Sequence, residues 1–156
     1  MSKRIAILGS TGSIGCSALE VIAHLPGDLR AVALSTHQRT DRLVEQIRQH
    51  RPTAVAVTGD GYGIDDAQGA GVRVYRGPSG LVEMVQRDDI DLVLAAIVGA
   101  AGLPAVLAAV RAGKPLALAN KEALVVAGSL LIPEARGRNV PILPVDSEHS
   151  AVFQAM

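Results

Sequence analysis

Residues 4–15 read RIAILGSTGSIG, and they are the most informative segment for predicting the fold. A short apolar run, Arg4–Leu8, leads directly into three glycines with the spacing GxxGxxG. A strand followed by such a glycine loop and a helix is a variant of the dinucleotide-binding fingerprint. In that fingerprint Gly9 permits a tight turn, Gly12 permits close approach of a pyrophosphate, and Gly15 permits close packing of the helix on the strand.

The residues around the glycines favour phosphate binding. The helix that follows the loop would direct its first backbone N–H groups, and the positive end of its dipole, at a phosphate. Thr11 and Ser13 add two hydroxyl groups. The alternative is a loop of glycine and serine that only turns the chain. The apolar run before the loop and the amphipathic segment after it favour a dinucleotide site.

Along the whole chain, short apolar runs alternate with longer amphipathic segments. The runs are almost continuously apolar, which is typical of parallel strands covered on both faces by helices. The predicted strands are Arg4–Leu8, Arg30–Ser35, Ala54–Thr58, Val72–Tyr75, Leu92–Ile97, Leu116–Ala119 and Val140–Val145. The predicted helices are Ser13–His24, Thr40–His50, Ser79–Arg87, Leu103–Ala112 and Lys121–Arg136. This alternation predicts an α/β fold with a doubly wound, mostly parallel, Rossmann-like sheet.

The composition argues against several classes of function. The 156 residues carry 15 Lys and Arg against 15 Asp and Glu, and only 2% of them are aromatic. Such a chain lacks the basic patch and the stacking platforms of a nucleic-acid-binding protein. No apolar stretch approaches the length of a membrane span, and the single cysteine, Cys16, excludes an internal disulfide. We therefore expect a cytoplasmic protein that binds neither nucleic acid nor membrane.

The end of the second predicted strand indicates which dinucleotide the loop binds. An NAD site places an acidic residue there, about 20 residues beyond the glycines, to hold the 2′-hydroxyl of the ribose. Here residues 35–40 read STHQRT, and the first carboxylate is that of Asp41. Arg39 suits a 2′-phosphate, although a solvated arginine at the start of the next helix is an equal alternative. The missing acid favours NADP over NAD.

Three more loops follow predicted strands, at residues 96–102, Asn120–Glu122 and Asp146–His149. Loops after the carboxyl ends of parallel strands share one edge of the sheet with the glycine loop, and ligands bind at that edge. Each loop also has an ordinary alternative. Asn120 and Glu122 suit a helix N-terminus, and the glycines of the first loop suit a tight turn.

Asp146 and Glu148 form a close acidic pair at a predicted strand end. In an extended chain residues i and i+2 face the same side, roughly 6.5–7 Å apart, so both carboxylates could bind one divalent cation. Pro144 disfavours a helical conformation at the residue before it, which supports an extended approach. The alternative is that Asp146 or Ser147 caps a following helix and Glu148 complements its dipole.

The same residues resemble a known family. Residues 3–15 (KRIAILGSTGSIG), 95–103 (AAIVGAAGL), 118–122 (LANKE) and 145–150 (VDSEHS) are similar to 1-deoxy-D-xylulose 5-phosphate reductoisomerase. Its members convert 1-deoxy-D-xylulose 5-phosphate to 2-C-methyl-D-erythritol 4-phosphate in non-mevalonate isoprenoid synthesis, using NADPH and Mg²⁺ or Mn²⁺. The later motifs are more specific than the glycine loop.

The resemblance implies roles for individual residues. Cofactor contacts are implied for Thr11, Gly12, Ser13, Ile14, Gln38, Arg39, Asn120 and Glu122. Substrate contacts are implied for Lys121, Ser147 and Glu148, and metal coordination is implied for Asp146 and Glu148. The metal would polarise substrate oxygens during rearrangement of the carbon skeleton, and NADPH would then reduce the aldehyde intermediate. Residues 37–39 read HQR, where the family often has a Gly-Lys-Asn-like stretch for the 2′-phosphate.

Members of this family are considerably longer than this chain. The resemblance therefore implies an NADPH-binding domain at residues 1–145 and the start of a catalytic domain at residues 146–156. We expect the chain to fold without turning over its phosphorylated sugar substrate, and the full-length protein to be a homodimer. Two alternatives are a non-catalytic NADPH-binding module and another NADP-dependent oxidoreductase, such as a semialdehyde dehydrogenase. The second would not explain residues 146–149.

Overall fold

Seven strands in the described part of the chain form one parallel sheet. The computed structural model describes residues 1–61, 63–65, 71–119 and 121–145. The strands are β1 (Lys3–Leu8), β2 (Leu29–Thr36), β3 (Ala54–Val57), β4 (Arg73–Arg76), β5 (Leu92–Ala95), β6 (Leu116–Leu118) and β7 (Ile142–Pro144). Their order across the sheet is β4-β3-β2-β1-β5-β6-β7, and every neighbouring pair is parallel.

Helices cover both faces of the sheet. In the described ranges they are α1 (Ser13–His24), α2 (Thr40–His50), α3 (Gly77–Val85), α4 (Leu103–Arg111) and α5 (Lys121–Gly137). A short 3₁₀ turn, Gly99–Gly102, precedes α4. The alternation of strands and helices confirms the predicted α/β, Rossmann-like fold.

The core divides into two layers because successive residues of a strand point to opposite faces. Ile5 and Ile7 of β1 pack in a cluster with residues of α1 and α2, such as Leu19 and Leu43. The alternate residues of β1 pack in a second cluster with residues of α3, α4 and α5. Both faces of β1 are therefore buried, which explains its unbroken run of apolar residues.

The direction of winding reverses at β1. The first four strands run outward from β1 to β4, whereas β5, β6 and β7 lie on the other side of β1. The carboxyl ends of β1 and β5 consequently diverge into helices on opposite faces, and a crevice opens between the loops that follow them. In open parallel sheets this switch point is the place where ligands bind.

The observed bounds differ from the predicted ones mainly at strand ends. Helices α1 and α2 have the predicted bounds, whereas the last strand is shorter than Val140–Val145. Helix α3 begins at Gly77, two residues before the predicted start at Ser79, because Pro78 is well suited to the first turn of a helix. The sheet extends to Pro144, and residues 146–156, predicted to start a second domain, lie outside the described residues.

Candidate dinucleotide-binding site

Gly9 joins the end of β1 to both of its neighbouring strands. Its φ of +81° lies in the left-handed region that favours glycine. Its backbone N–H donates a hydrogen bond to Ser35 Oγ at 2.9 Å. A Cβ atom at this position would lie 2.8 Å from the carbonyl oxygen of Ala96, the residue after β5. Only a glycine therefore allows β1 to turn here between the loops after β2 and β5.

Gly12 and Gly15 have different surroundings. A Cβ atom on Gly15 would lie 2.3 Å from the carbonyl oxygen of Gly9 and 2.5 Å from Ser10 Cα, so α1 packs directly on the loop. A Cβ atom on Gly12 would meet only the oxygen of Gly9, at 3.5 Å, and otherwise faces open space. The structure agrees with the close helix packing predicted at Gly15, and it leaves the backbone of Gly12 accessible to a ligand.

A buried polar network fixes the loop to α2. The hydroxyl of Ser10 donates to Gln46 Oε1 at 2.8 Å, and Gln46 Nε2 donates to the carbonyl oxygen of Ser10 at 2.8 Å. The backbone N–H of Ser10 also donates to the carbonyl oxygen of Ser35. Gln46 was not a candidate from the sequence. The available signal was a polar residue between Leu43 and Ile47 on the apolar face of α2.

The hydroxyl of Thr11, predicted to contact the cofactor, forms a hydrogen bond within the protein. Thr11 is buried, and its hydroxyl lies 2.7 Å from that of Thr36. The backbone N–H of Arg39 donates to the Thr36 hydroxyl at 3.2 Å. The backbone oxygen of Thr11 accepts hydrogen bonds from Arg39 Nη1 and Arg42 Nη1, each at 3.3 Å. The sequence gave no indication of the contact from Arg42.

A cleft of about 400 Å³ opens beside the glycine loop. Its polar side is formed by residues at or just beyond the carboxyl ends of β1, β2 and β3: Thr11, Ser35, Thr36, His37 and Thr58. Its apolar side comes from α3 and from the segment after β5: Pro78, Leu81, Ala96, Ile97, Val98 and Ala101. Gly9 and Gly12 complete the lining. The cleft thus occupies the switch point of the sheet, with one polar and one apolar wall.

The N-terminus of α1 begins at this cleft. Gly12 is the N-cap residue and supplies no side-chain hydrogen bond to the helix. Ser13 and Ile14 form the first turn, and their backbone N–H groups have no partner inside the helix because no preceding turn exists. A helix start of this kind binds anions through those N–H groups and the helix dipole.

Two other predicted cofactor residues, Gln38 and Glu122, follow strands that lie on opposite sides of β1. Gln38 is exposed, and its backbone oxygen accepts from the N–H of Thr40. His37, between Gln38 and the end of β2, places Nδ1 3.0 Å from Thr58 Oγ1. Glu122 lies in the first turn of α5, and its Oε2 is 3.9 Å from the position of a Cβ atom on Gly99. The start of α5 is therefore close to the loop after β5.

Four predicted site residues lie beyond the described ranges. Asn120, Asp146, Ser147 and Glu148 lie outside the described residues, whereas Lys121 begins α5. Within the described ranges, no three side chains of His, Cys, Asp or Glu are grouped as a metal site requires. Among the helices of those ranges, none is both long and apolar enough to cross a membrane.

Comparison with known proteins decides the family. The sequence profile of 1-deoxy-D-xylulose 5-phosphate reductoisomerase matches residues 5–128. The chain belongs to this family. The 1-deoxy-D-xylulose 5-phosphate reductoisomerase of Methylococcus capsulatus is 49% identical over 99% of the chain, which corresponds to 41% of that relative. The chain thus spans about two fifths of the length of the curated reductoisomerases it matches.

Solved reductoisomerases have the same fold over the whole chain. A reductoisomerase crystallised with NADPH, fosmidomycin and magnesium is 42% identical, with a TM-score of 0.91, and the match covers 99% of this chain and 39% of that one. The reductoisomerase of Zymomonas mobilis in complex with NADPH is 36% identical, with a TM-score of 0.88, over 100% of this chain and 42% of that one. The resemblance inferred from the sequence motifs is confirmed.

Proposed function

We propose that this chain binds NADPH and forms the cofactor-binding part of a 1-deoxy-D-xylulose 5-phosphate reductoisomerase. The observation that carries the proposal is the glycine loop, which turns at the switch point of the sheet and leaves Gly12 open beside a cleft of about 400 Å³. Membership of the family supports the proposed reaction. The NADPH bound in two solved relatives gives the cofactor.

The residues present fit a dinucleotide. The pyrophosphate would lie over Gly12 and accept hydrogen bonds from the backbone N–H groups of Ser13 and Ile14. The adenosine half would extend over the ends of β2 and β3, between His37 and Pro78, which line the cleft. No carboxylate precedes Asp41 at the end of β2, so this position would not repel a 2′-phosphate as an NAD site does.

The nicotinamide half would then point toward β5, β6 and β7. The segment before Lys121 and the segment at Asp146 follow the ends of β6 and β7, at the same edge of the sheet. Asn120 and Glu122 would contact the cofactor, and Lys121 with Ser147 and Glu148 would bind the sugar phosphate. The parallel topology supports this arrangement, because the carboxyl ends of β6 and β7 lie at the same edge of the sheet as the glycine loop.

Asp146 and Glu148 would hold Mg²⁺ or Mn²⁺. Their carboxylates are the hard oxygen donors that these cations prefer. When bound, NADPH supplies the hydride and the cation polarises the substrate oxygens. Residues 1–145 would form the cofactor domain and residues 146–156 the start of the catalytic domain, with the full-length protein a homodimer. A solved relative that binds fosmidomycin, a phosphonate, supports a phosphorylated substrate.

The test is a calorimetric titration of the chain with NADPH and, in parallel, with NADH. We expect binding of NADPH at least tenfold tighter than that of NADH, a difference of about 1.4 kcal/mol or more. A folded circular-dichroism spectrum without binding of either dinucleotide would overturn the proposal. With 1-deoxy-D-xylulose 5-phosphate and Mg²⁺ added, we expect no oxidation of NADPH by the chain alone, measured at 340 nm.

A further inference from the structure

Two guanidinium groups converge on one carbonyl oxygen at the edge of the cleft. Arg39 Nη1 and Arg42 Nη1 each lie 3.3 Å from the backbone oxygen of Thr11. The two nitrogen atoms are therefore within twice that distance of each other. Arg39 is the N-cap residue of α2, and Arg42 lies in the first turn of the same helix. Only Arg39 stands out in the sequence, because it falls in the segment where a 2′-phosphate is expected.

In the described part of the chain, this pair of arginines has no acidic ion-pair partner. Among the described residues, no carboxylate oxygen lies within 4.0 Å of either guanidinium group. Two positive charges at this separation repel each other, and a single neutral carbonyl oxygen offsets only part of that repulsion. An anion with several oxygen atoms would relieve it, because guanidinium groups bind phosphate through paired N–H donors.

The position of Arg39 and Arg42 indicates which anion they would bind. Thr11 and Thr36 line the cleft, and the backbone N–H of Arg39 donates to the Thr36 hydroxyl. Thr36 is the last residue of β2, the strand whose end meets the ribose of the adenosine half in folds of this type. An anion held between Arg39 and Arg42 would therefore occupy the place of a 2′-phosphate.

The geometry points to Arg42 as the second cation of a 2′-phosphate clamp, which selects NADPH over NADH together with Arg39. The inference rests on the proposed binding of NADPH. It explains how the chain accommodates a 2′-phosphate although Gln38 is uncharged. The positive end of the α2 dipole lies at the same place and would add to the attraction.

The experiment compares dissociation constants of NADPH and NADH for the wild-type chain, Arg42→Gln, Arg39→Gln and the double variant. Arg48→Gln is the matched control, because Arg48 is exposed in the last turn of the same helix. We expect Arg42→Gln to weaken NADPH binding about tenfold, as loss of one charge-assisted contact to phosphate does. NADH binding should change less than twofold, and Arg48→Gln should change neither.

A second probe isolates the phosphate from the rest of the cofactor. Adenosine 2′,5′-bisphosphate should lose affinity in Arg42→Gln by the same factor as NADPH, whereas AMP should not. Equal weakening of NADPH and NADH would show that Arg42 only supports the Thr11 loop, and this result would overturn the inference. A wild-type preference for NADPH that Arg42→Gln retains would overturn it as well. Absence of any dinucleotide binding by the folded wild-type chain would instead overturn the proposed function together with the clamp.

Discussion

Gly12 and Gly15 lie three residues apart, at the N-cap and in the first turn of α1, yet an added methyl group would have different effects at the two positions. At Gly15 the methyl group would lie 2.3 Å from the backbone oxygen of Gly9, so the helix or the loop must move. We expect Gly15→Ala to lower the free energy of unfolding by about 3 kcal/mol, at the upper end of the cost of overpacking, because backbone yields less than a side chain does.

The substitution Gly12→Ala should mainly affect ligand binding. Its φ of −79° is open to any residue, and the nearest atom to its Cβ is 3.5 Å away. We expect the free energy of unfolding to change by at most about 1 kcal/mol, for the loss of a favourable N-cap residue. NADPH affinity should fall about tenfold or more, because the methyl group occupies the path of the pyrophosphate to the backbone.

Urea unfolding and NADPH titration of the two variants separate these effects. Gly15→Ala should have the lower urea midpoint of the two variants. Gly12→Ala should lose NADPH affinity with little loss of stability. If Gly12→Ala binds NADPH as tightly as the wild-type chain, the pyrophosphate does not lie over Gly12.

Among the single elements, helix α2 shows which features a sequence pattern predicts and which it does not. Its amphipathic pattern predicts a helix over Thr40–His50, and the structure has that helix. Leu43 and Ile47 are among its buried residues. The same pattern does not reveal the partners of Arg42 and Gln46. Those partners lie in the glycine loop, 31 and 36 residues away along the chain, so they become visible only when the sheet is assembled.

The conformation of a loop is also difficult to predict from sequence. The sequence allows either a ligand-binding loop or a tight turn after β5, and the structure has a 3₁₀ helix there, at Gly99–Gly102. In sequence this segment carries small apolar residues and two glycines, which suit a turn and a short helix equally. The glycine loop was easier to predict, because Gly9 and Gly15 are each required by a specific backbone contact.

A polar cluster joins the elements at the amino ends of β3 and β5. Arg87, two residues beyond α3, binds both carboxylate oxygens of Asp89 at 2.8 Å and donates to the hydroxyl of Tyr75 at 3.3 Å. Thr53, just before β3, donates to Asp89 Oδ2 at 2.7 Å. Hydrogen bonds from Arg87 and then from Thr53 lower the pKa of Asp89 to about 2.

This low pKa predicts a loss of stability in acid. The carboxylate of Asp89 titrates at a lower pH in the folded chain than in the unfolded chain, so the folded state binds fewer protons between those values. Its contribution to the free energy of unfolding is therefore complete above about pH 4 and is lost as the pH falls toward 2. We expect that contribution to be about 1–2 kcal/mol, since Asp89 is partly exposed and solvent screens the pair.

Urea unfolding at pH 6 and at pH 3 measures this effect. The pKa of Asp91, beside Arg4, is also lowered to about 2, so the wild-type chain alone does not isolate Asp89. The comparison with Asp89→Asn does. The stability difference between the two proteins should shrink from pH 6 to pH 3. A difference that is constant over this range would show that ionisation of Asp89 does not stabilise the fold.

For the molecule as a whole, the proposed cofactor site follows β1 and the proposed metal site follows β7, along one edge of the parallel sheet. Adjacent strands lie about 4.8 Å apart, so β7 is roughly 14 Å from β1 across β5 and β6. The glycine loop follows β1, whereas Asp146 follows β7 by two residues. A dinucleotide that starts at the glycine loop and extends across β5 would reach the proposed substrate segments without sharing residues with the proposed metal site. Cofactor binding and metal binding should therefore be separable.

The double variant Asp146→Ala/Glu148→Ala tests this separation. Removing two carboxylates removes the oxygen donors proposed for the cation, so the wild-type chain should bind Mn²⁺ and the double variant should not. NADPH affinity should stay within about twofold, because none of the proposed phosphate contacts is changed. Mn²⁺ binding is followed by the loss of the free-ion signal in electron paramagnetic resonance, and NADPH binding by calorimetry. Equal binding of Mn²⁺ by both proteins would place the metal elsewhere, and a tenfold loss of NADPH affinity would show that the two sites are coupled.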